Sequence, residues 1–292
     1  MQVHLVDGTY ELFRHHLGLP PEVAASSRAA ATRGVMRSVL DLIEDGATHL
    51  GVACDTVIES FRNDLWPGYK TGAGIDPALS SQFPLVEEGL RAMGVTVWGM
   101  IEVEADDALA TAAARAAADE RVRRVVICTP DKDLAQCVVD GRVVQLDRRA
   151  GTVRDAAGVR EKFGVEPASI PDYLGLVGDS ADGFPGLPGW GAKSAAALLA
   201  RYGRLEEIPR DPAEWDVAVR GAARLAATLA ARHEDALLFR RLATLRPDCE
   251  GVLPDGVDAL RWGGPTAGLA AFCARIDAPE LPARAAALAG SR

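Results

Sequence analysis

The chain has 292 residues, of which 48% are hydrophobic and 25% charged, enough apolar side chain for a full core and too much for disorder. No uncharged apolar run approaches the roughly 18–20 residues of a membrane span, and the first residues, Met-Gln-Val-His-Leu-Val-Asp, lack the build of a secretory leader, so a soluble cytoplasmic protein without membrane contact is expected. Five cysteines with no CxxC pair argue against a disulfide framework and a zinc site, and a net charge of −9 argues against a polyanion partner unless cations neutralise the acids.

Residues 3–7 read as a short buried strand, followed by a loop with Gly18, Pro20 and Pro21. A helix over about 28–44 then presents Val35, Val39, Leu42 and Ile43 on one face. A second strand is predicted over 49–55, and a Gly/Pro-punctuated surface excursion over 68–84. Next come a helix over 85–93, a strand over 95–98, an alanine-rich helix over 104–119, and strands over 124–128 and 142–146. Strands separated by helices predict a parallel α/β sheet with right-handed crossovers. Beyond about residue 165 the β signal fades, and helices are predicted over 170–177, 193–202, 220–243 and 266–276. The expected organisation is an α/β domain over 1–165 and a helical domain over 166–292.

The acids fall at the strand ends. Asp7 closes the first predicted strand and Asp55 the second; Glu104, Asp106 and Asp107 follow the third, and Asp131 and Asp133 the fourth. In an open parallel sheet the strand C-termini share one edge, where ligands bind, so these carboxylates are expected to converge. Converging like charges persist only with cations or shifted pKa values, and an all-oxygen set suits Mg²⁺ or Mn²⁺. Two such ions about 4 Å apart are the usual arrangement for phosphodiester hydrolysis. With Asp179 and Asp182 added, the set numbers nine, and the remaining acids equal the 32 basic residues. A phosphatase of the Asp-x-Asp-Gly-Thr type is excluded, because Leu5 stands at the nucleophile position before Asp7-Gly8-Thr9. Only four basic residues are lysines (Lys70, Lys132, Lys162, Lys193), and three of them lie in the motifs that follow.

Those motifs are Leu5-Val6-Asp7-Gly8; Asp55 with Ser60-Phe61-Arg62 and Gly68-Tyr69-Lys70; Glu102-Val103-Glu104-Ala105-Asp106-Asp107; Thr129-Pro130-Asp131-Lys132-Asp133-Leu134; and Gly178-Asp179-Ser180-Ala181-Asp182 running on to Gly186-Leu187-Pro188-Gly189-Trp190-Gly191-Ala192-Lys193. In this order the chain resembles the 5′-nuclease family, which comprises the 5′→3′ exonuclease domain of bacterial DNA polymerase I, its relatives and the flap endonucleases. The resemblance implies a PIN-like, mostly parallel sheet flanked by helices, then a helical domain with a helix-hairpin-helix over about 167–205. It implies that Asp7, Asp55, Glu104 and Asp106 hold one metal, that Asp131, Asp133, Asp179 and Asp182 lean toward a second, and that Asp107 assists. Lys70 and Arg62 match basic residues at the base of the family's arch, where they would neutralise the scissile phosphate. Tyr69 would stack on a terminal base or pack half-buried. Gly186, Gly189 and Gly191 would bring backbone N–H groups to a DNA phosphate, with Lys193 beside them and K⁺ held by carbonyls. Trp190 would pack in the hairpin or touch DNA.

The implied activity is a metal-dependent 5′→3′ exonuclease and structure-specific flap endonuclease acting on DNA as a monomer, with two Mg²⁺ or Mn²⁺ ions. Two departures stand out. Gly183 replaces an asparagine, which implies a looser second metal shell, and no Lys or Arg lies between Lys70 and Arg91, so the arch is neutral. These departures keep a catalytically weak, structure-specific DNA-binding protein as one alternative. A PIN-type ribonuclease is the other.

Overall fold

The computed structural model describes residues 1–291, arranged as two compact units. The first comprises Met1–Ile58, Gly72–Thr129 and Pro247–Arg292, the second Glu59–Thr71 and Pro130–Arg246. The units are thus interleaved in sequence, unlike the expected division at residue 165. The reason lies in the C-terminal segment, which anchors on the first unit: Trp262 donates from Nε1 to the Met93 carbonyl at 2.8 Å, and Thr96 donates from Oγ1 to the Ala259 carbonyl at 2.7 Å.

The first unit carries four strands, β1 (Gln2–Asp7), β2 (His49–Asp55), β3 (Thr96–Met100) and β4 (Arg124–Cys128). β1 is flanked by β2 and β4 and β3 lies beyond β2, every pairing parallel. Val3, Leu5, Val6, Leu50, Val52 and Ile127 are buried, the composition expected of strands covered on both faces. The helix Ala30–Glu44 buries all four apolar positions read from its period.

One predicted loop is a helix. Gly8–Leu17 follows β1 directly, with Asp7 as its N-cap accepting from the Tyr10 amide at 2.8 Å. Gly8 is required there, since a Cβ would lie 2.4 Å from Cys54 Sγ and 2.9 Å from the Ala53 carbonyl. The stretch read as a surface excursion also differs. It contains a short turn of helix, Pro77–Ser80, and buries Leu79, Gln82 and Phe83.

The second unit holds an antiparallel hairpin of β5 (Val143–Asp147) and β6 (Thr152–Arg154) and is otherwise helical. The strand β6 has no sequence signal of its own, because three residues show no resolvable alternation. The predicted helix over 220–243 is two helices, Ala222–Ala231 and His233–Ala243, broken at Arg232, whose φ of −125° leaves the helical region. The core of this unit gathers Tyr69, Phe184, Trp190, Leu198 and Phe239, with the rings of Phe184 and Phe239 stacked at 5.8 Å. The fold class expected from the sequence, a mostly parallel α/β sheet and a helical part, is the one observed. Among the described residues no helix is long and apolar enough to cross a membrane.

Candidate metal centre

In the first unit, hydrogen bonds fix the acids at the strand ends. Asp7 Oδ1 is held by the Tyr10 amide, and Oδ2 accepts from Thr129 Oγ1 at 3.0 Å. The first turn of the helix that Asp7 caps also reaches β2, where Thr9 Oγ1 accepts from the Asp55 amide at 2.8 Å. Asp55 Oδ1 in turn accepts from the Ala105 amide at 2.8 Å, at the start of the helix Ala105–Ala118. Asp107 Oδ2 accepts from the Glu104 amide at 3.0 Å. Asp7, Asp55, Glu104 and Asp107 therefore belong to one bonded network built on three strand ends. Amides at helix N-termini favour the ionised carboxylates they meet. Asp106 lies half-buried beside Asp107 in the same first turn.

In the second unit, Asp133, Asp179 and Asp182 are buried, and each offers an oxygen within 4.8 Å of the others'. Asp133 Oδ1 is buried and accepts no hydrogen bond. Burial pushes the Asp133 carboxyl well above the usual carboxylate range, and the charges of Asp131, Asp182 and Asp179 push it further. Asp131 stands next to it, its Oδ1 accepting the Asp133 amide at 2.9 Å. An unpartnered buried oxygen among three carboxylates is a donor set that fits a hard divalent cation.

Two ammonium groups belong to this set. Lys132 Nζ lies 2.5 Å from Asp179 Oδ2, and Lys70 Nζ 3.0 Å from Asp182 Oδ1. Lys70 is partly exposed, and its amide donates to the Asp182 carbonyl at 2.9 Å. Gly183 explains this close approach. It has φ of +82°, and a Cβ there would lie 2.1 Å from the Gly68 carbonyl oxygen, while its own carbonyl accepts from Trp66 Nε1 at 3.0 Å. The glycine permits the close junction between the Gly68–Lys70 segment and Asp182.

Arg62, Tyr69 and Trp190, all expected at the site, have buried side chains. Arg62 is 1% exposed, donating from Nε to the Leu242 carbonyl at 2.7 Å and from Nη2 to the Thr244 carbonyl at 3.1 Å. Its guanidinium meets carbonyls at the C-terminal end of the helix His233–Ala243. Tyr69 is buried in the core rather than offered to a base. Trp190 packs inside, one of the two placements expected for it, donating from Nε1 to the Leu225 carbonyl at 3.3 Å.

Gly186 and Gly189 have positive φ, and Gly191 caps the helix Ala192–Tyr202. A cleft of about 480 Å³ opens along Gly189, Gly191, Lys193 and Ser194, and Arg220 lines its other side. Arg220 was not singled out from the sequence, where it is one arginine among many.

Residues 2–164 match the 5'-3' exonuclease, N-terminal resolvase-like domain, and residues 165–267 match the 5'-3' exonuclease, C-terminal SAM fold. The chain belongs to the 5'-3' exonuclease family. Among the relatives of this 5'-3' exonuclease family member, DNA polymerase I of Pseudomonas aeruginosa is 36% identical over 272 residues, covering 89% of the chain. The chain spans only 29% of that polymerase's length. A 5'-3' exonuclease of Aquifex aeolicus is 32% identical over 251 residues, covering 85% of the chain and 83% of the relative. In fold the chain is similar to T5 5'-exonuclease with divalent zinc ions bound, with a TM-score of 0.69, 18% identity, and coverage of 94% of this chain and 98% of that one.

Proposed function

We propose that the chain is a metal-dependent 5′→3′ exonuclease and flap endonuclease that hydrolyses DNA phosphodiester bonds. The observation that carries this reading is the buried Asp133–Asp179–Asp182 group with its unpartnered oxygen, in a chain of the 5'-3' exonuclease family. Asp133, Asp179 and Asp182, with Asp131 beside them, would hold one Mg²⁺ or Mn²⁺ ion, and Asp7, Asp55, Glu104 and Asp106 another, with Asp107 holding the Glu104 backbone in place. When bound, such ions supply an activated water and stabilise the leaving 3′-oxygen.

The protein's own groups take the remaining tasks. Thr129 and the Tyr10 amide orient Asp7, and the Ala105 amide orients Asp55. Lys70, partly exposed and paired with Asp182, neutralises charge on the scissile phosphate. The cleft at Gly189 and Gly191, with Lys193 and Arg220, takes a duplex phosphate without reading bases. A K⁺ ion at the Gly186–Gly191 turn, a monomeric state and a cytoplasmic location belong to the same reading. Five free cysteines accord with a reducing compartment.

The test is cleavage of end-labelled 5′-flap DNA, nicked duplex and a matched RNA, with Mg²⁺ or with chelator. Metal-dependent cutting near the flap junction that Asp131→Asn abolishes supports the proposal. Binding without cutting would replace it with a structure-specific binding protein, and cleavage of RNA alone with a PIN-type ribonuclease.

A further inference from the structure

Asp179, in the second unit's carboxylate group, is engaged through both of its oxygens. Its Oδ1 accepts from the Ala181 amide at 2.9 Å and lies 3.4 Å from the Asp182 amide. Its Oδ2, the oxygen outside that turn, carries the Lys132 ammonium at 2.5 Å. The Asp179 side chain is almost fully buried, and burial opposes the charge on Lys132. The bond to Asp179 and the charges of Asp133, Asp179 and Asp131 outweigh that opposition, so the ammonium is held firmly charged. Asp133 offers an unpartnered oxygen to the same space. A divalent ion taken by these carboxylates therefore meets a resident positive charge on one of the oxygens it would use.

We propose that Lys132 is an internal counter-cation of this carboxylate group, competing with a divalent ion for Asp179 Oδ2 and giving way when the ion binds. The inference rests on the metal-dependent reading above and deepens it. Lys132 offsets like-charge repulsion in the metal-free protein and sets the affinity of this ion lower than the three carboxylates alone would give. Such coupling between two cations on shared ligands typically amounts to about 5–150-fold in affinity.

Two measurements on the full chain test the inference. In calorimetric titration with MnCl₂ alone, Lys132→Met should bind one ion about tenfold or more tightly than the wild type, melt at lower temperature in chelator, and gain more from added metal. Lys132→Arg, which keeps the charge, should stay near the wild type. A merely structural lysine cannot give tighter binding on removal. Should Lys132→Met not fold, the wild type itself answers. With four lysines in the chain, the side-chain ¹⁵Nζ resonance of Lys132 is resolvable by NMR, and its protection from solvent exchange should fall on titration with Mg²⁺. Equal or weaker Mn²⁺ binding by a folded Lys132→Met, or an unchanged Lys132 resonance at saturating Mg²⁺, overturns the inference while leaving the metal-dependent reading intact. Neither heat nor a metal-induced rise in melting temperature in either protein overturns both.

Discussion

Replacing Arg62 separates the two tasks this residue can be given. Its guanidinium is buried and donates to the carbonyls of Leu242 and Thr244, and it lies 4.6 Å from the centre of the Phe61 ring. Truncation to alanine leaves two helix-end carbonyls in an apolar setting without this donor. Each charge-assisted bond is worth about 1.5–3 kcal/mol, and the lost side-chain volume adds a cavity term. We expect Arg62→Ala to lose about 3–5 kcal/mol. At about 2–4 °C per kcal/mol for chains of this size, the melting temperature should fall by roughly 10 °C. Lysine has the charge but not the planar fork, so Arg62→Lys should recover only part of the loss. The assay is thermal and urea melting followed by circular dichroism, with hydrogen exchange of the 233–243 amides to locate the weakening. If Arg62→Ala melted within about 1 kcal/mol of the wild type yet lost flap cleavage, the arginine would be acting on the phosphate and the structural assignment would be wrong.

Lys70→Ala should show the opposite pattern. Its partly exposed pair with Asp182 is worth about 0–1 kcal/mol, so stability should barely change while flap cleavage falls about 100-fold or more; a melt lowered in step with activity would count against the assignment. Gly183→Asn, which restores the family's usual residue, should destabilise the chain by about 1–3 kcal/mol, because its Cβ would meet the Gly68 carbonyl and φ is positive; unchanged melting refutes this. Asp133→Asn should be more stable than the wild type in chelator. The folded-state pKa of Asp133 is raised, so the wild type loses stability relative to the variant as pH rises from the unfolded carboxylate value of about 3.9 to that raised value, and the gap is level beyond it. Excess Mg²⁺ should reverse the order, and melts at about pH 5 and about pH 8 with and without metal check the sign. Thr129→Val should raise the Mg²⁺ concentration needed for half-maximal cleavage about 10–100-fold by removing the hydroxyl donor to Asp7 Oδ2, with Thr129→Ser restoring it; an unchanged metal requirement would remove Thr129 from any positioning role.

Much of the site was legible because its signals are local. A hydrophobic run that stops at or shortly before an acid marks a strand end, and the limits predicted for the strands His49–Asp55 and Arg124–Cys128, like those of the helix Ile170–Val177, coincide with those observed. The helix Gly8–Leu17 was missed because Asp7-Gly8-Thr9 reads equally as a turn, and the helix bends no apolar run into view. Arg220 left no local signal at all, since only folding brings it across the cleft from Lys193.

The chain by itself determined which chemical groups were available: carboxylates placed by strand-ending positions, glycines that only tight turns require, and a few lysines among many arginines. Side-chain periodicity and backbone sterics act over a handful of residues, so they can be read in order. Tertiary structure decided what each group does. Arg62 and the carbonyl it meets lie 180 positions apart, and Lys132 and Asp179 also come from separate segments. Whether a cation faces a helix end, a carboxylate or solvent is settled by desolvation and by hydrogen-bond partners, and both depend on contacts that exist only once the chain has closed upon itself.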